Sequence, residues 1–369
     1  MSLWRKRQKT VELDVEELGG NVVPMRTAPI KNSVVQTRPT IEQQDDALRM
    51  LKAPENGFLN HAVEIVSDYH ALDPELIALF CRGALRTMYD SDSALLHISV
   101  SGASGSGKND IISKVTALIP PAHIVTFSSI TPKVLYYSMH VNGVVNPHAY
   151  KNKILAVTEI NDSGTGNQAW ASLKAFSELD ANSTFSHATT SGAKNLTLKV
   201  VGPRAVWIAS VDGPSDSQIR RRFFHVKMSD DNKKTRQLKA DTIIDNLLEH
   251  KTIETDPRLW AIRAAYECLF LIGLQTKFEP MNASAEALLR EISRQLVIDG
   301  FNISGVKQFI SLAEVAAFEK CCVRHYTRID EADILEAWSM VQSFNHEVIP
   351  EVQVGNKIYE PISPLYKEV

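Results

Sequence analysis

Gly102-Ala103-Ser104-Gly105-Ser106-Gly107-Lys108-Asn109 is the stretch of this sequence best equipped for chemistry. Its GxxxxGK spacing lets backbone N–H groups wrap phosphate oxygens at a helix N-terminus. Gly102, Gly105 and Gly107 permit turns and a close approach that a Cβ would block, and Lys108 supplies a point charge for β- and γ-phosphates. Ser106 and Asn109 complete the phosphate-binding set. Asn109 stands where a Ser or Thr hydroxyl normally meets Mg2+, so its amide oxygen is the metal-facing group. Such a loop needs a carboxylate at the end of a neighbouring strand, to hold the metal or orient attacking water. Ile154-Leu155-Ala156-Val157-Thr158-Glu159 offers one, with Glu159 as base and second metal contact. The position before it holds Thr158 rather than a second acid, and Asp162 is a substitute close behind. The competing reading makes Glu159 a solvated strand end, and the protein a nucleotide binder that hydrolyses slowly or not at all.

These residues require a strand before the glycine loop, a helix after it and at least one parallel neighbour. Leu95–Val100 reads as the first strand and Asp110–Leu118 as its helix, closed by Pro120-Pro121. Lys153–Thr158 and Ala205–Ser210 are further buried strands, with a helix over Gln168–Leu179 between them. This alternation predicts an α/β fold, a P-loop NTPase parallel sheet at residues 93–229. Helical periodicity over residues 41–92 predicts an N-terminal extension, in which Asp73 caps a helix opening at Pro74. A second helical region, 230–346, ends in a helix starting at Asp330 and predicts a C-terminal lid. Residues 1–40 and 347–369 read as tails, the first flexible with a basic head. Phe185–Thr190 and Leu196–Val201 predict a hairpin around Ser191-Gly192-Ala193-Lys194-Asn195, inside a stretch without acidic residues.

The 369 residues are 44% hydrophobic and 22% charged, with 40 Lys+Arg against 43 Asp+Glu. Such values exclude collagen-like, wholly disordered and disulfide-scaffold classes. A net charge of −3 excludes a uniformly basic nucleic-acid coat and leaves room for a local patch. Cys81, Cys268, Cys321 and Cys322 show no CxxC spacing and read as small hydrophobes in a reducing cytosol. No apolar run reaches the ~18 residues of a membrane span, and no signal core follows the basic start, so a cytoplasmic protein without membrane contact is expected.

With these residues placed, Ala47–Phe344 resembles the AAA+ ATPases, and within them the MCM-like helicase branch. The likeness is to ATPase modules of primase-helicase proteins carried by phages, plasmids and other mobile elements. It rests on Ser99–Lys108, Phe127–Tyr137, Lys151–Glu159 and Val201–Ile208, in that order. The resemblance implies an ATP- and Mg2+-dependent helicase or translocase that forms a ring, a hexamer, on single- or double-stranded DNA, with a primase or initiator as a possible partner. It implies a γ-phosphate sensor at Ser210, where Asn is more usual. In Arg220-Arg221-Arg222-Phe223 it makes Arg222 the finger that reaches the ATP of the adjacent subunit, in place of a basic cluster that is solvated or paired with Asp230 and Asp231. The hairpin becomes a DNA-gripping pore loop with Lys194 at its tip and Lys199 and His187 along the wall. Lys307 falls where a second sensor would sit, although an ordinary helix-start lysine fits equally. The rival implication is an ATP-switch DNA-binding initiator or loader without processive translocation, favoured by Asn109 and Thr158.

Overall fold

A computed structural model describes residues 39–53, 57–128, 130, 135, 140–141, 144–160, 170, 173–178, 184–191, 194–214, 216–228, 233–345, 351–363 and 365, with backbone alone at 140–141, 144–145, 159, 185–191, 194–199 and 233–234. Three helices come first: α1 (Ile41–Leu51), α2 (Gly57–Ser67) and α3 (Pro74–Leu85). Strand β1 (His97–Ser101) then runs through the glycine loop into α4 (Lys108–Leu118) and on to β2 (Ile124–Phe127). A small ladder, β3 (His140–Val141) with β4 (Val144–Val145), precedes β5 (Ile154–Ile160). The hairpin β6 (Thr184–Ser191) and β7 (Lys194–Val201) leads into β8 (Ala205–Ser210), followed by α5 (Ser217–Arg220) and β9 (Phe223–Lys227).

Five of these strands form one parallel sheet in the order β2-β5-β8-β1-β9. Their near-continuous apolar sequences follow from burial on both faces. Along β8 the two-residue period sends Ala205, Trp207 and Ala209 into one core and Val206 and Ile208 into the other. Strand β5 divides likewise, Ile154 and Ala156 against Leu155 and Val157. The first core lies under the helices, where Phe80 of α3 meets Trp207 edge-on with centroids 5.0 Å apart. The second gathers Tyr150, Trp170, Leu173 and Phe176 on the opposite face.

Register decides what meets at the top of the sheet. Ser101 of β1 is level with Ser210 of β8 and Lys227 of β9, and Ile160 of β5 is also level with Ser210. The carboxyl ends of four strands therefore open onto one edge, where open α/β sheets place their ligands. Between Val157 and Ile160 the β5 register shifts by a bulge, and Glu159 lies within it. Bulges of this kind re-aim side chains beside active sites.

The C-terminal helices are α6 (Lys233–Leu248), α7 (Leu259–Gly273), α8 (Ala283–Ile298), α9 (Ile303–Glu319), α10 (Cys321–Arg324) and α11 (Glu331–Phe344). All of them except α6 share a core with α1–α3, and the chain from Pro39 onward forms one compact unit. A buried ionic cluster joins the two helical regions: Arg82 of α3 pairs with Glu336 at 2.7 Å and stands 3.8 Å from Glu319. Glu319 in turn accepts a hydrogen bond from the Leu59 N–H at 3.0 Å.

Several elements depart from expectation. Strands β2 and β9 are additional, short edge strands, and β9 buries Phe223, Phe224 and Val226 in the two cores. The residues expected as a C-terminal tail include a hairpin, β10 (Val352–Val354) with β11 (Lys357–Tyr359), anchored in the core by Val352. The β6–β7 ladder runs to the Ser191–Lys194 pair, so Lys194 opens the return strand instead of sitting within a five-residue turn. Asp73 precedes α3 as expected, yet its side chain makes no cap hydrogen bond, because it takes up other partners described below. The expected N-terminal tail, Asp162, Asp230 and Asp231 lie outside the described residues, as does most of the stretch 131–139.

Candidate functional site

The glycine loop begins where β1 ends. Gly102 N–H donates to the Val211 carbonyl beyond β8 at 3.1 Å, fixing the loop against the neighbouring strand end. Gly105 and Gly107 hold φ of 81° and 93°, the left-handed region that a side chain disfavours. Gly107 is the N-cap of α4, and no side chain caps that helix, so its positive end is presented to the loop. Lys108 is buried and its ammonium donates to the carbonyls of Gly102 and Ala103, 2.8 Å each, curled inside the loop. The Ser106 Oγ is buried with no hydrogen-bond partner among the described residues.

A cavity of about 290 Å3 opens over this loop. Its lining joins Ser104, Gly105, Gly107, Lys108, Asn109 and Asp110 to Ile160 at the end of β5 and to Ala209, Ser210 and Val211 at the end of β8. The Ser210 hydroxyl accepts from Gly213 N–H at 3.0 Å, and its own proton remains available to an oxygen in the cavity. The residues fit a polyphosphate. They offer an uncapped helix N-terminus, a left-handed glycine pair, an interior lysine and an orphaned hydroxyl. Asn109, exposed at the first turn of α4, and Glu159, in the β5 bulge, are the residues that would hold a divalent cation.

Around the loop stands a second group of residues that the sequence reading did not find. His70 is 4% exposed; its Nδ1 lies 2.8 Å from the Asp110 carboxylate and its Nε2 lies 3.3 Å from Asp73. A Cβ at Gly107 would stand 3.0 Å from the His70 ring, so the histidine packs directly on the turn. Lys239 of α6 closes the group, donating to the Ser106 carbonyl at 3.1 Å and pairing with Asp73 at 3.2 Å. These contacts are what occupy the Asp73 carboxylate in place of helix capping. They also explain why Leu72 and Asp73 both adopt positive φ, 73° and 61°. Such strain persists where surrounding contacts over-determine it, commonly beside functional sites. Burial opposes charge on His70, but its two carboxylate partners outweigh it and raise the imidazole above its ordinary value. Asp73 is held below its usual range: burial acts upward, and His70 and Lys239 together prevail.

Lys307 and Arg222 do not line this cavity. Lys307 is exposed on the first turns of α9 and does not line the cavity; Lys239 is the lysine that α6 brings against the loop. Arg222 is engaged within its own chain. Its guanidinium pairs with Glu178 at 2.8 Å and donates to the Lys174 carbonyl, and its own carbonyl accepts from Gln308. The Glu178 carbonyl accepts in turn from Nε2–H of His97, whose burial pushes its pKa down to about 4 and keeps it neutral between β1 and β8. Arg220 and Arg221 of the same cluster are exposed; the Arg220 guanidinium donates to the Pro214 carbonyl at 3.3 Å, and the Arg221 side chain has no ion-pair or hydrogen-bond partner among the described residues. On β7, Lys194 pairs with Ser191 and Lys199 with Ser186; an odd separation puts positions 194 and 199 on opposite faces of the ladder.

A parallel sheet whose first strand feeds a lysine-bearing glycine loop at a helix N-terminus defines a P-loop nucleoside-triphosphatase domain. The chain belongs to the MTBMA_p00010 P-loop domain family, whose model matches residues 40–262, more than half of its length. That stretch contains every residue that lines the cavity, and also His70, Asp73 and Lys239 around the loop. The chain is also similar to the uncharacterized protein MTBMA_p00010 of Methanothermobacter marburgensis, 21% identical over 215 residues. The alignment covers 57% of this chain and 25% of that protein, so the chain spans about a quarter of the relative's length. No helix among the described residues is long and apolar enough to cross a membrane.

Proposed function

We propose that this P-loop domain is an AAA+ motor of the MCM-like type, an ATP hydrolase that assembles into a ring on DNA and drives strand separation. The observation that carries the reading is the position of β8. It lies between the strand of the phosphate loop and the strand of Glu159, so Ser210 stands between Lys108 and the candidate base. The same strand follows the β6–β7 hairpin after three residues, Gly202-Pro203-Arg204. Arg204 is buried and bonded to the Tyr89 carbonyl and to Asp90, which makes that junction stiff. A change at the γ-phosphate end of β8 thus has a direct route to the hairpin.

In this reading Lys108 and the loop N–H groups hold the β- and γ-phosphates of ATP. Glu159 orients a water for in-line attack and accepts its proton, and Ser210 donates to the γ-phosphate. Bound Mg2+, held by Asn109 and Glu159, would neutralise phosphate charge. Lys194, with Lys199 along the wall, would contact the DNA backbone through salt-sensitive, sequence-independent pairs. A primase or initiator would act with the ring.

A second reading, an ATP-switch initiator or loader with weak hydrolysis, is favoured by one specific feature. Asn109 and Thr158 replace the hydroxyl and the second acid that fast Mg2+-dependent hydrolysis normally uses, and the Thr158 hydroxyl donates toward the Ser128 carbonyl at 3.4 Å. An ATPase assay with and without DNA, coupled to strand displacement, separates the two. The motor requires Mg2+-dependent turnover stimulated by DNA and abolished by Lys108→Ala, with Lys194→Ala impairing unwinding while basal hydrolysis continues. ATP binding with turnover no higher than Lys108→Ala would establish the switch and sink the motor.

A further inference from the structure

Helix α6 is built inside out. The residues it turns toward its own chain are the half-buried Thr235, Lys239, Thr242 and Asn246, all polar, and Asn246 donates to the Asp68 carbonyl at 3.1 Å. None of its described side chains is buried. Ala240, Ile243, Ile244, Leu247 and Leu248 recur at i, i+3, i+4, i+7 and i+8, the spacing of a helix face made for burial. That face is solvent-exposed: Ile243 and Ile244 by 52% and 50%, Leu247 and Leu248 by 69% and 74%. Beside it Asp241 and Asp245 have no ion-pair partner among the described residues.

A complementary surface exists on the same molecule at residues that α6 does not touch. Between β9, the α8–α9 connection and the end of α11 lies a groove of about 570 Å3, whose lining combines Arg220 and Arg221 with Phe301, Phe344 and one carboxylate, Asp299. Ile298 and Ile303, adjacent in sequence to its lining residues Asp299 and Asn302, are exposed by 69% and 75%. An aliphatic stripe flanked by two acids meets a groove of aromatic and polar residues flanked by two arginines, and none of these four has an ion-pair partner among the described residues. Two different patches on one chain that complement each other give a head-to-tail contact, which closes into a ring when the rotation permits.

We infer that the aliphatic face of α6 docks into the Arg220–Arg221 groove of a second copy of this chain. The inference rests on the ring proposed above and names the surface that would build it. It also ties assembly to the nucleotide. Lys239 holds the inner face of α6 against the Ser106 carbonyl, so a neighbour gripping the outer face is one helix, about 10 Å, from the phosphate loop. Arg221, unlike the internally paired Arg222, would be the arginine delivered there.

Sedimentation velocity on the full chain, with a non-hydrolysable ATP analogue, Mg2+ and DNA, tests this. Wild type should assemble, and Leu247→Asp and Ile244→Asp should remain monomeric with unchanged thermal melting, since both side chains are exposed. Asp245→Arg and Arg221→Asp should each weaken assembly at least tenfold, and the double variant should restore it. A wild type that stays monomeric throughout overturns the ring itself and this contact with it. If wild type assembles and Leu247→Asp assembles equally well, the ring stands and this contact is wrong. Unchanged assembly of Leu247→Asp, with new protease cleavage inside residues 1–38, would give the stripe to that segment and equally overturn the proposal.

Discussion

The Lys239 ammonium donates to the Ser106 carbonyl at 3.1 Å, although 133 residues separate them. It pairs at the same time with Asp73, whose carboxylate meets His70, and His70 packs on Gly107. Three parts of the chain far apart in sequence thereby set the shape of one phosphate loop: the turn before α3, the loop itself and helix α6. Nucleotide binding is a property of that assembly rather than of the glycine motif alone.

Removing the lysine should therefore affect binding more than folding. Lys239→Met keeps the aliphatic stem and deletes a charge-assisted hydrogen bond, an interaction worth roughly 1.5–3 kcal/mol. Affinity for ATP should fall about tenfold or more, each tenfold being about 1.4 kcal/mol. Titration with a fluorescent ATP analogue measures this, and equal affinity in the variant would remove Lys239 from the site.

The carboxylate–histidine group should leave a pH signature. The folded-state pKa of His70 is raised above its ordinary value of 6.5, so its contribution to stability is complete below that pH and is lost as pH rises through the folded value. The lowered Asp73 acts at the other end, losing its contribution as pH falls below 3.8 and through its folded value. Chemical denaturation from pH 6 to 9 should show wild type losing stability relative to His70→Gln. Parallel profiles would mean that the imidazole carries no linked proton.

Neighbouring arginines should behave in opposite ways. Arg222→Ala removes a mostly buried guanidinium from its pair with the half-exposed Glu178 and should lower stability by about 1–2 kcal/mol. Arg221→Ala, at an exposed side chain, should change stability by no more than about 0.5 kcal/mol. It should nonetheless depress ATP turnover at concentrations where copies assemble. Thermal melts paired with turnover assays decide between them, and the reverse pattern would return the trans role to Arg222.

The buried cluster between the two helical regions gives a further test. Burial pushes Glu319 up to about 7, against the nearby Arg82. Between its ordinary 4.5 and that value the folded protein keeps a proton that the unfolded chain releases, so stability should fall as pH rises through this window. Glu319→Gln, which retains an acceptor for Leu59 N–H, should flatten the profile between pH 4.5 and 7. A slope equal to wild type would place the proton elsewhere.

Much of the architecture was legible because it depends on local pattern. The runs Ile154–Val157 and Ala205–Ser210 are apolar throughout and fix two central strands, and GxxxxGK between a strand and a helix fixes the phosphate loop. Edge strands β2 and β9 were not legible, since apolar runs this short do not separate strand from helix by periodicity. Asp73-Pro74 read as a cap because sequence offers only its nearest neighbours. In the fold a lysine 166 positions later and a histidine three before it claim the carboxylate.

The sequence by itself determined the class of chemistry, because the backbone geometry of a phosphate loop needs glycines and a lysine at fixed short spacing. Only the tertiary structure decided which distant side chains serve that loop. It set Lys239 rather than Lys307 against the loop, tied Arg222 to Glu178 and left Arg221 exposed. Neighbouring arginines are equivalent as residue types; they become different when packing encloses one guanidinium beside a carboxylate and turns the next toward solvent.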